Sequence, residues 1–177
     1  MIYIEVLCSF IKIIFLKIVN GKRLQISPIQ ILDKSLMIKS RNSSRIIIRK
    51  GMKCRRNCSI RCEHGKVEFD EGVFLNENVS ITALESITIG KNVTIANNVV
   101  IVDHDHDYKK LSGEAFLTSP VCIGDECWIG ANSIILKGAI LGERCVVAAG
   151  TVVRAGKYPN GSLIFNPKST EIKIMRE

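Results

Sequence analysis

The chain has 177 residues, 46% of them hydrophobic and only 6% aromatic, and a formal net charge of +8. That length and apolar content suffice for a buried core in one domain, or in one domain with an appendage. The charge is lopsided: Met1 to Lys66 carry 15 Lys or Arg against 3 acids, a net of +12, while residues 67–177 carry 10 against 14, a net of −4. A basic third of this kind can meet a phosphate-bearing ligand, an anionic polysaccharide, nucleic acid or an anionic membrane surface, or can simply be a solvated face. No helix-turn-helix, zinc-finger or aromatic-interleaved pattern accompanies it, which argues against a nucleic-acid partner.

The first nineteen residues, MIYIEVLCSFIKIIFLKIV, are apolar enough to raise a signal peptide or a membrane span. Glu5, Lys12 and Lys17 interrupt the run, no basic region precedes it, and no small-residue cleavage site follows it. An amphipathic helix, packed on the domain or resting on a membrane, is the better expectation, and residues 1–22 are assigned to it as a helical appendage. The expected location is cytoplasmic, with peripheral attachment at the inner face of the membrane left open through the basic N-terminal third.

From residue 23 onward a six-residue period governs the chain. It is clearest in IGDECWIGANSIILKGAILGERCVVAAGTVV, where Ile123, Ile129, Ile135, Leu141, Val147 and Val153 recur and a small or modest side chain stands four places after each: Cys127, Ser133, Ala139, Cys145 and Thr151. A helical period of 3.6 does not stay in phase with six, and a simple strand period of two would not need the glycines that follow the apolar residue at Gly124, Gly130 and Gly142, so the pattern predicts short strands joined by repeated corners, three to a turn. Traced backward, it gives Ile89/Ile95/Ile101, Phe69/Leu75/Ile81 and Ile48/Cys54/Ile60, about five triangular turns in all. Ile26/Leu32/Ile38 keeps the spacing weakly and reads as an imperfect cap. A narrow solenoid interior also explains the scarcity of rings.

Insertions interrupt the grid near Leu84 to Ser86, near Glu63 to Lys66 and, at length, from Val102 to Pro120, after the third of those turns. A solenoid tolerates such loops at its corners, and a protruding loop is where this scaffold would place chemistry. After Val153 the grid fades, and the C-terminal residues are expected to cap the open end of a domain spanning 23–177. Of the seven cysteines, Cys54 lies on the grid and Cys127 and Cys145 at its small positions. They read mostly as reduced core residues, with a zinc site at Cys54, Cys58 and Cys62 the lesser alternative.

Three stretches, FLNENVSI at 74–81, ITIGKNVTIANNVVIVDHDHDY at 87–108 and PVCIGDECWIGANSIILKGAILGERCVVAAGTVV at 120–153, resemble the hexapeptide-repeat acyltransferases. A weaker fourth, YPNGSLIFNPKSTEIK, is similar to that family's closing segment. The similarity is closest to the sugar O-acetyltransferases and the capsular or lipopolysaccharide O-acetyltransferases related to them. It implies an all-β fold, a left-handed parallel β-helix with a short N-terminal helix, acetyl-CoA as acyl donor, and a homotrimer with the site between protomers. The grid specifies the fold strongly and the reaction less, since nucleotidyltransferases and gamma-type carbonic anhydrases share the prism.

Acetyl transfer to a hydroxyl needs a base, and histidine serves near neutral pH. The chain has three: His64, His104 and His106. Counting from Asn98 and Val99, the resemblance puts the family's catalytic histidine at His106, with His104 the rival. In an extended Asp103–Asp107 segment both rings would face one way and the aspartates the other, though one carboxylate could turn to fix a histidine tautomer.

On the acceptor side the resemblance implies Asn78, Asn76, Glu114 and Tyr108, the asparagines also being natural corner residues. On the coenzyme side it implies Trp128, Gly130, Ala131, Ala148 and Ala149 along the pantetheine arm, and Arg154 and Lys168 near the nucleotide. The chain departs from the family at Cys122, at Cys127, in lacking a proline after the histidine, and in FNPKS.

The expected activity is thus acetyl-CoA-dependent O-acetylation of a sugar hydroxyl in a capsular or other cell-surface polysaccharide or its lipid-linked precursor. The alternatives are N-acetylation of an amino sugar, or a non-catalytic β-helix scaffold. A carbonic anhydrase is disfavoured because His64 comes before the second of those five turns whereas the other two histidines follow the third, and no metal ligand set is assigned. A nucleotidyltransferase would bring a phosphate-cradling loop, and none is present.

Overall fold

A computed structural model describes residues 2–107, 109 and 115–167. The six-residue grid folds as a parallel β-solenoid with three faces, coiling left-handed. The first face stacks Leu24–Ile26, Arg45–Ile48, Lys66–Phe69, Ser86–Ile89, Val121–Ile123, Ala139–Leu141 and Gly156–Tyr158. The second stacks Ile31–Leu32, Lys53–Cys54, Phe74–Leu75, Thr94–Ile95, Trp128–Ile129, Val146–Val147 and Leu163–Ile164. The third stacks Met37–Ser40, Ser59–Cys62, Ser80–Ala83, Val100–Val102, Ile134–Ile135 and Val152–Val153. Among the described residues six turns are complete and a seventh has two sides. The five expected turns are all present, and Ile26, Leu32 and Ile38 belong to a full first turn rather than an imperfect cap.

Why six residues per side is plain from the register. Ile48 pairs with Phe69, Phe69 with Ile89, Ile89 with Ile123 and Ile123 with Leu141, so each apolar grid residue stacks on its counterpart one turn away. These side chains point inward and are buried. Four residues form each corner between the first and second faces, as at 49–52, 70–73, 90–93, 124–127 and 142–145. Four also form each corner between the second and third, as at 55–58, 76–79, 96–99, 130–133 and 148–151.

Within these corners each position has its own physics. The third residue adopts positive φ: Asn78 (61°), Asn98 (58°) and Asn132 (59°) on one edge, Asn92 (54°) on the other. Asparagine and glycine tolerate that region best, which explains their recurrence. The first corner residue is held by a different constraint. A Cβ on Gly124 would stand 2.6 Å from the carbonyl carbon of Gly142 in the next turn, so glycine there answers close stacking rather than a left-handed backbone. The small fourth residues carry donors for the next turn's carbonyls: Cys127 Sγ to Gly142 O (3.1 Å), Ser133 Oγ to Ala148 O (3.0 Å) and Cys145 Sγ to Pro159 O (3.2 Å). All seven cysteines are free, five of them buried. Burial pushes the thiols of Cys62 and Cys127 up to about 11, which keeps them protonated near neutral pH.

The helix α1 (Ile2–Asn20) covers the first turn, followed by a short 3-10 turn at Gly21–Arg23. It buries Ile13 and Leu16 and brings polar side chains to backbone groups that have no preceding rung to bond. Ser9 Oγ accepts from Leu32 N (2.8 Å), and Asn20 Oδ1 accepts from Ser40 N (2.8 Å) while its Nδ2 donates to Leu16 O and Ile38 O. Gln30, buried at a corner where later turns carry Met52, Val73 and Val93, accepts from Met52 N (2.7 Å) and donates to Arg49 O (2.7 Å). At the other end Asn166 Oδ1 accepts from Val152 N (2.6 Å). Among the described residues no helix is long and apolar enough to cross a membrane.

Candidate active site

The corner between the third and first faces is irregular in every turn. It uses residues 41–44, 63–65, 84–85, 103–120, 136–138 and 154–155, so every insertion seen in the sequence falls on this one edge. The longest contains an antiparallel hairpin of His104–His106 with Phe116–Thr118, paired His104 to Thr118 and His106 to Phe116. As expected for alternate residues of a strand, both imidazoles lie on the Phe116 side. His104 meets that ring edge-on at 5.4 Å between centroids and His106 lies tilted against it at 4.7 Å.

Asp103 breaks the alternation. It sits in a bend before the strand and turns inward, 0% exposed, where its carboxylate accepts backbone N–H groups from Leu84 (2.9 Å), Glu85 (2.7 Å) and Ser86 (2.7 Å). The short corner at 84–85 thus forms a cradle of donors for this anion. Asp103 Oδ1 also lies 3.0 Å from His104 Nδ1. A carboxylate so placed only accepts, so Nδ1 donates and the lone pair of the neutral ring resides on Nε2. His104 is largely enclosed, its side chain 16% exposed. His106 is exposed and has no hydrogen-bond partner among the described residues. Asp105, pointing away from the rings, pairs with Lys137 Nζ at 3.7 Å and ties the hairpin to the next turn.

The remaining candidates divide between two edges. Asn76 and Asn78 stand on the edge between the second and third faces, with Gly130, Ala131, Ala148 and Ala149 stacked along the same edge further on. Asn78 Nδ2 donates to Asn98 Oδ1 (3.1 Å) and Asn98 Nδ2 to Asn132 Oδ1 (3.0 Å), a ladder that gives Asn78 a corner function. Asn76 Oδ1 accepts from Glu77 N (3.0 Å). Gly130 is required by packing, since a Cβ there would meet Ala149 N at 2.6 Å. Ala148 and Ala149, with Gly150, Thr151, Phe165, Asn166 and Pro167, line an open groove of about 430 Å³, a size within the usual range for small-molecule sites. Trp128 projects from the adjoining second face, 55% exposed.

Arg154 falls instead on the histidine edge. Tyr108, Glu114 and Lys168 lie outside the described residues. The two edges are separated by the full width of the third face, about six residues or roughly 20 Å of extended chain between Asn98 and His104. One chain therefore does not bring its asparagines and groove to its own histidines. His64, at the histidine edge two turns earlier, lies 3.3 Å from Asn42 Nδ2. Among the described residues no three His, Cys, Asp or Glu side chains group as a metal site. Phe116 was not singled out from sequence, and which aspartate could turn to fix a histidine tautomer was left open there. The signal for Asp103 was available in the shortened corner at 84–85, which frees the N–H groups it caps.

The hexapeptide repeat described for succinyl-transferases matches residues 71–102 and 120–155, the regular turns on either side of the hairpin. Over those two stretches the chain resembles the hexapeptide-repeat, left-handed β-helix acyltransferases. It is 35% identical over 120 residues to the putative lipopolysaccharide biosynthesis O-acetyl transferase WbbJ of Escherichia coli K12, covering 62% of this chain and 61% of that one. A 2,3,4,5-tetrahydropyridine-2,6-dicarboxylate N-acetyltransferase of Staphylococcus aureus is 39% identical over 59 residues, 33% of this chain and 24% of that one. The chain thus spans less than two thirds of either relative. Among solved structures, an AntD N-acyltransferase variant from Bacillus cereus, in complex with dTDP-4-amino-4,6-dideoxyglucose and coenzyme A, shares the fold at a TM-score of 0.66 and 16% identity. That match covers 85% of this chain and 81% of that one.

Proposed function

We propose that this protein transfers an acyl group, acetyl in the simplest case, from a coenzyme A thioester to a nucleophile on a sugar or amino sugar. The observation that carries the reading is the Asp103–His104 pair on the one edge of the prism that departs from the repeat. His104 Nε2 takes the proton from the acceptor as its oxygen or nitrogen attacks the thioester carbonyl, and the adjacent buried carboxylate stabilises the imidazolium that forms. Collapse of the tetrahedral intermediate expels the coenzyme sulfur, and His104 returns the proton to it. This reading takes His104 as the base, where the family resemblance pointed to His106. His106 and Phe116 then form the wall against which the acceptor is held.

The hydroxyl arm draws on the similarity to WbbJ and the amine arm on the similarity to the N-acetyltransferase from S. aureus. Either acceptor uses the same base. Acyl-CoA would occupy the groove edge that includes Ala148 and Ala149. Because that edge lies a face away from His104, the complete site would form between copies of the chain, in a homotrimer with the groove of one protomer facing the hairpin of the next.

The test is thiol release from acetyl-CoA across a panel of sugars and their amino counterparts, with His104→Ala and His106→Ala compared. A loss of about a thousandfold in His104→Ala, against tenfold or less in His106→Ala, is expected for removal of a general base. The reverse order would return the base to His106. Absence of acceptor-dependent release despite bound acetyl-CoA would sink the sugar reading.

A further inference from the structure

Among the described residues nothing covers the outer face of α1. Projected at about 100° per residue, Ser9, Ile13, Leu16 and Asn20 fall on one side of the helix, and all four are buried against the first turn. On the opposite side lie Leu7, Ile11, Ile14, Phe15 and Ile18, between 48% and 75% exposed, with the exposed Val19 at its border. A helix that is apolar on both faces needs cover on both, and the solenoid covers only one. Lys12 and Lys17 stand at the two borders between these faces, where long side chains can bury their stems and lift their charges.

The charge around this face identifies what covers it. Between residues 6 and 62 the only carboxylate is Asp33. Lys17, Lys22, Arg23 and Lys34 are exposed beside the helix and make no ion pair among the described residues, whereas Arg49, Lys50 and Arg56, further along the prism, are paired with Glu68, Glu71 and Glu77. Lys17, Lys22, Arg23 and Lys34 thus bring positive charge to the helix with no carboxylate paired to them among the described residues. A second copy docked here would press two positive rims together, a contact disfavoured by like-charge repulsion. Anionic lipid headgroups neutralise the rim while their acyl chains accept the apolar face.

We propose that the exposed face of α1 seats this protein on an anionic membrane surface, with the helix lying in the interface and the prism axis standing out from it. The helix does not cross the bilayer, in keeping with the absence of a spanning helix among the described residues. This proposal is independent of the acyl-transfer reading and does not require it.

The experiment is flotation of the full chain with vesicles of equal parts phosphatidylglycerol and phosphatidylcholine, and with vesicles of phosphatidylcholine alone. Binding to the anionic vesicles is expected to exceed binding to the neutral ones by at least about tenfold and to fall with salt, since each cation near the surface is worth about fivefold. Ile14→Ser with Ile18→Ser should abolish flotation while leaving the unfolding temperature within a few degrees, because neither side chain contributes to the core. Lys17→Gln with Lys22→Gln should weaken binding to the anionic vesicles and leave the neutral ones unaffected. Equal flotation of the Ile14/Ile18 variant, or no flotation of the parent chain, would overturn the proposal. So would a parent that fails to float and whose mass in solution halves in that variant, the signature of a second copy on the face.

Discussion

The three edges of the prism obey two different rules. Two of them turn with four residues every time, and the third turns with anything from the two residues at 84–85 to the long insertion at 103–120. On the invariant edges corner positions are tied to a neighbour one rung away: a close approach where the first residue is glycine, as at Gly124 and Gly130, and a donor where the fourth is Cys or Ser, as at Cys127 and Ser133. On the variable edge no such chain of dependence exists, so a loop can be rebuilt without disturbing the stack. Asp103, the best-buried carboxylate of the candidate site, takes its donors from the corner below it on that same edge. The lesson is that freedom to vary and the opportunity for chemistry coincide at one edge.

The sharpest way to break that contrast is to insert residues. Two glycines added between Arg154 and Ala155 should cost under about 1 kcal/mol, the entropy of a longer loop. The same pair added between Asn98 and Val99 should cost several times more, at least about 4 kcal/mol, because it throws Val100–Val102 out of register with both neighbours. Denaturant melts of the two variants would show it, and equal costs would remove the distinction. Gly124→Ala tests the close approach and should destabilise by about 1–3 kcal/mol as the rung above is pushed away.

Ser133→Ala removes the hydroxyl that reaches Ala148 O, leaving a buried carbonyl short of a partner, and should cost about 1 kcal/mol by the same melts. The smallest effect is a gain. Arg144 holds φ at 55°, a conformation its side chain disfavours, so Arg144→Asn should stabilise by about 0.5 kcal/mol. A loss there would mean that the corner demands something other than backbone tolerance.

What the sequence made legible follows the same division. The inward Ile, Val and Leu of the invariant rungs repeat in phase, so the faces, the core and the position of the long insertion could all be read from spacing. The first turn was under-read because Gln30 and the polar contacts from Ser9 and Asn20 replace packing with hydrogen bonds at the open end, which weakens the apolar signal without changing the backbone. The choice between His104 and His106 was out of reach for a different reason. Alternation places both rings on one side, and only the bend at Asp103, set by donors on the preceding turn, gives one of them a buried carboxylate partner. A contact that depends on residues about eighteen positions apart in sequence leaves no local pattern.

Stacked rungs also measure distance. The hairpin leaves the prism at the level of the fourth turn, three strand spacings or roughly 14 Å from the turn that α1 covers. That height is set by a whole number of rungs, so it can change only in steps, by gain or loss of a complete turn, while the helix at one end and the histidine loop above it stay as they are. With α1 on a bilayer, as proposed, the rung count becomes a ruler that sets how far from the lipid surface the histidine hairpin stands.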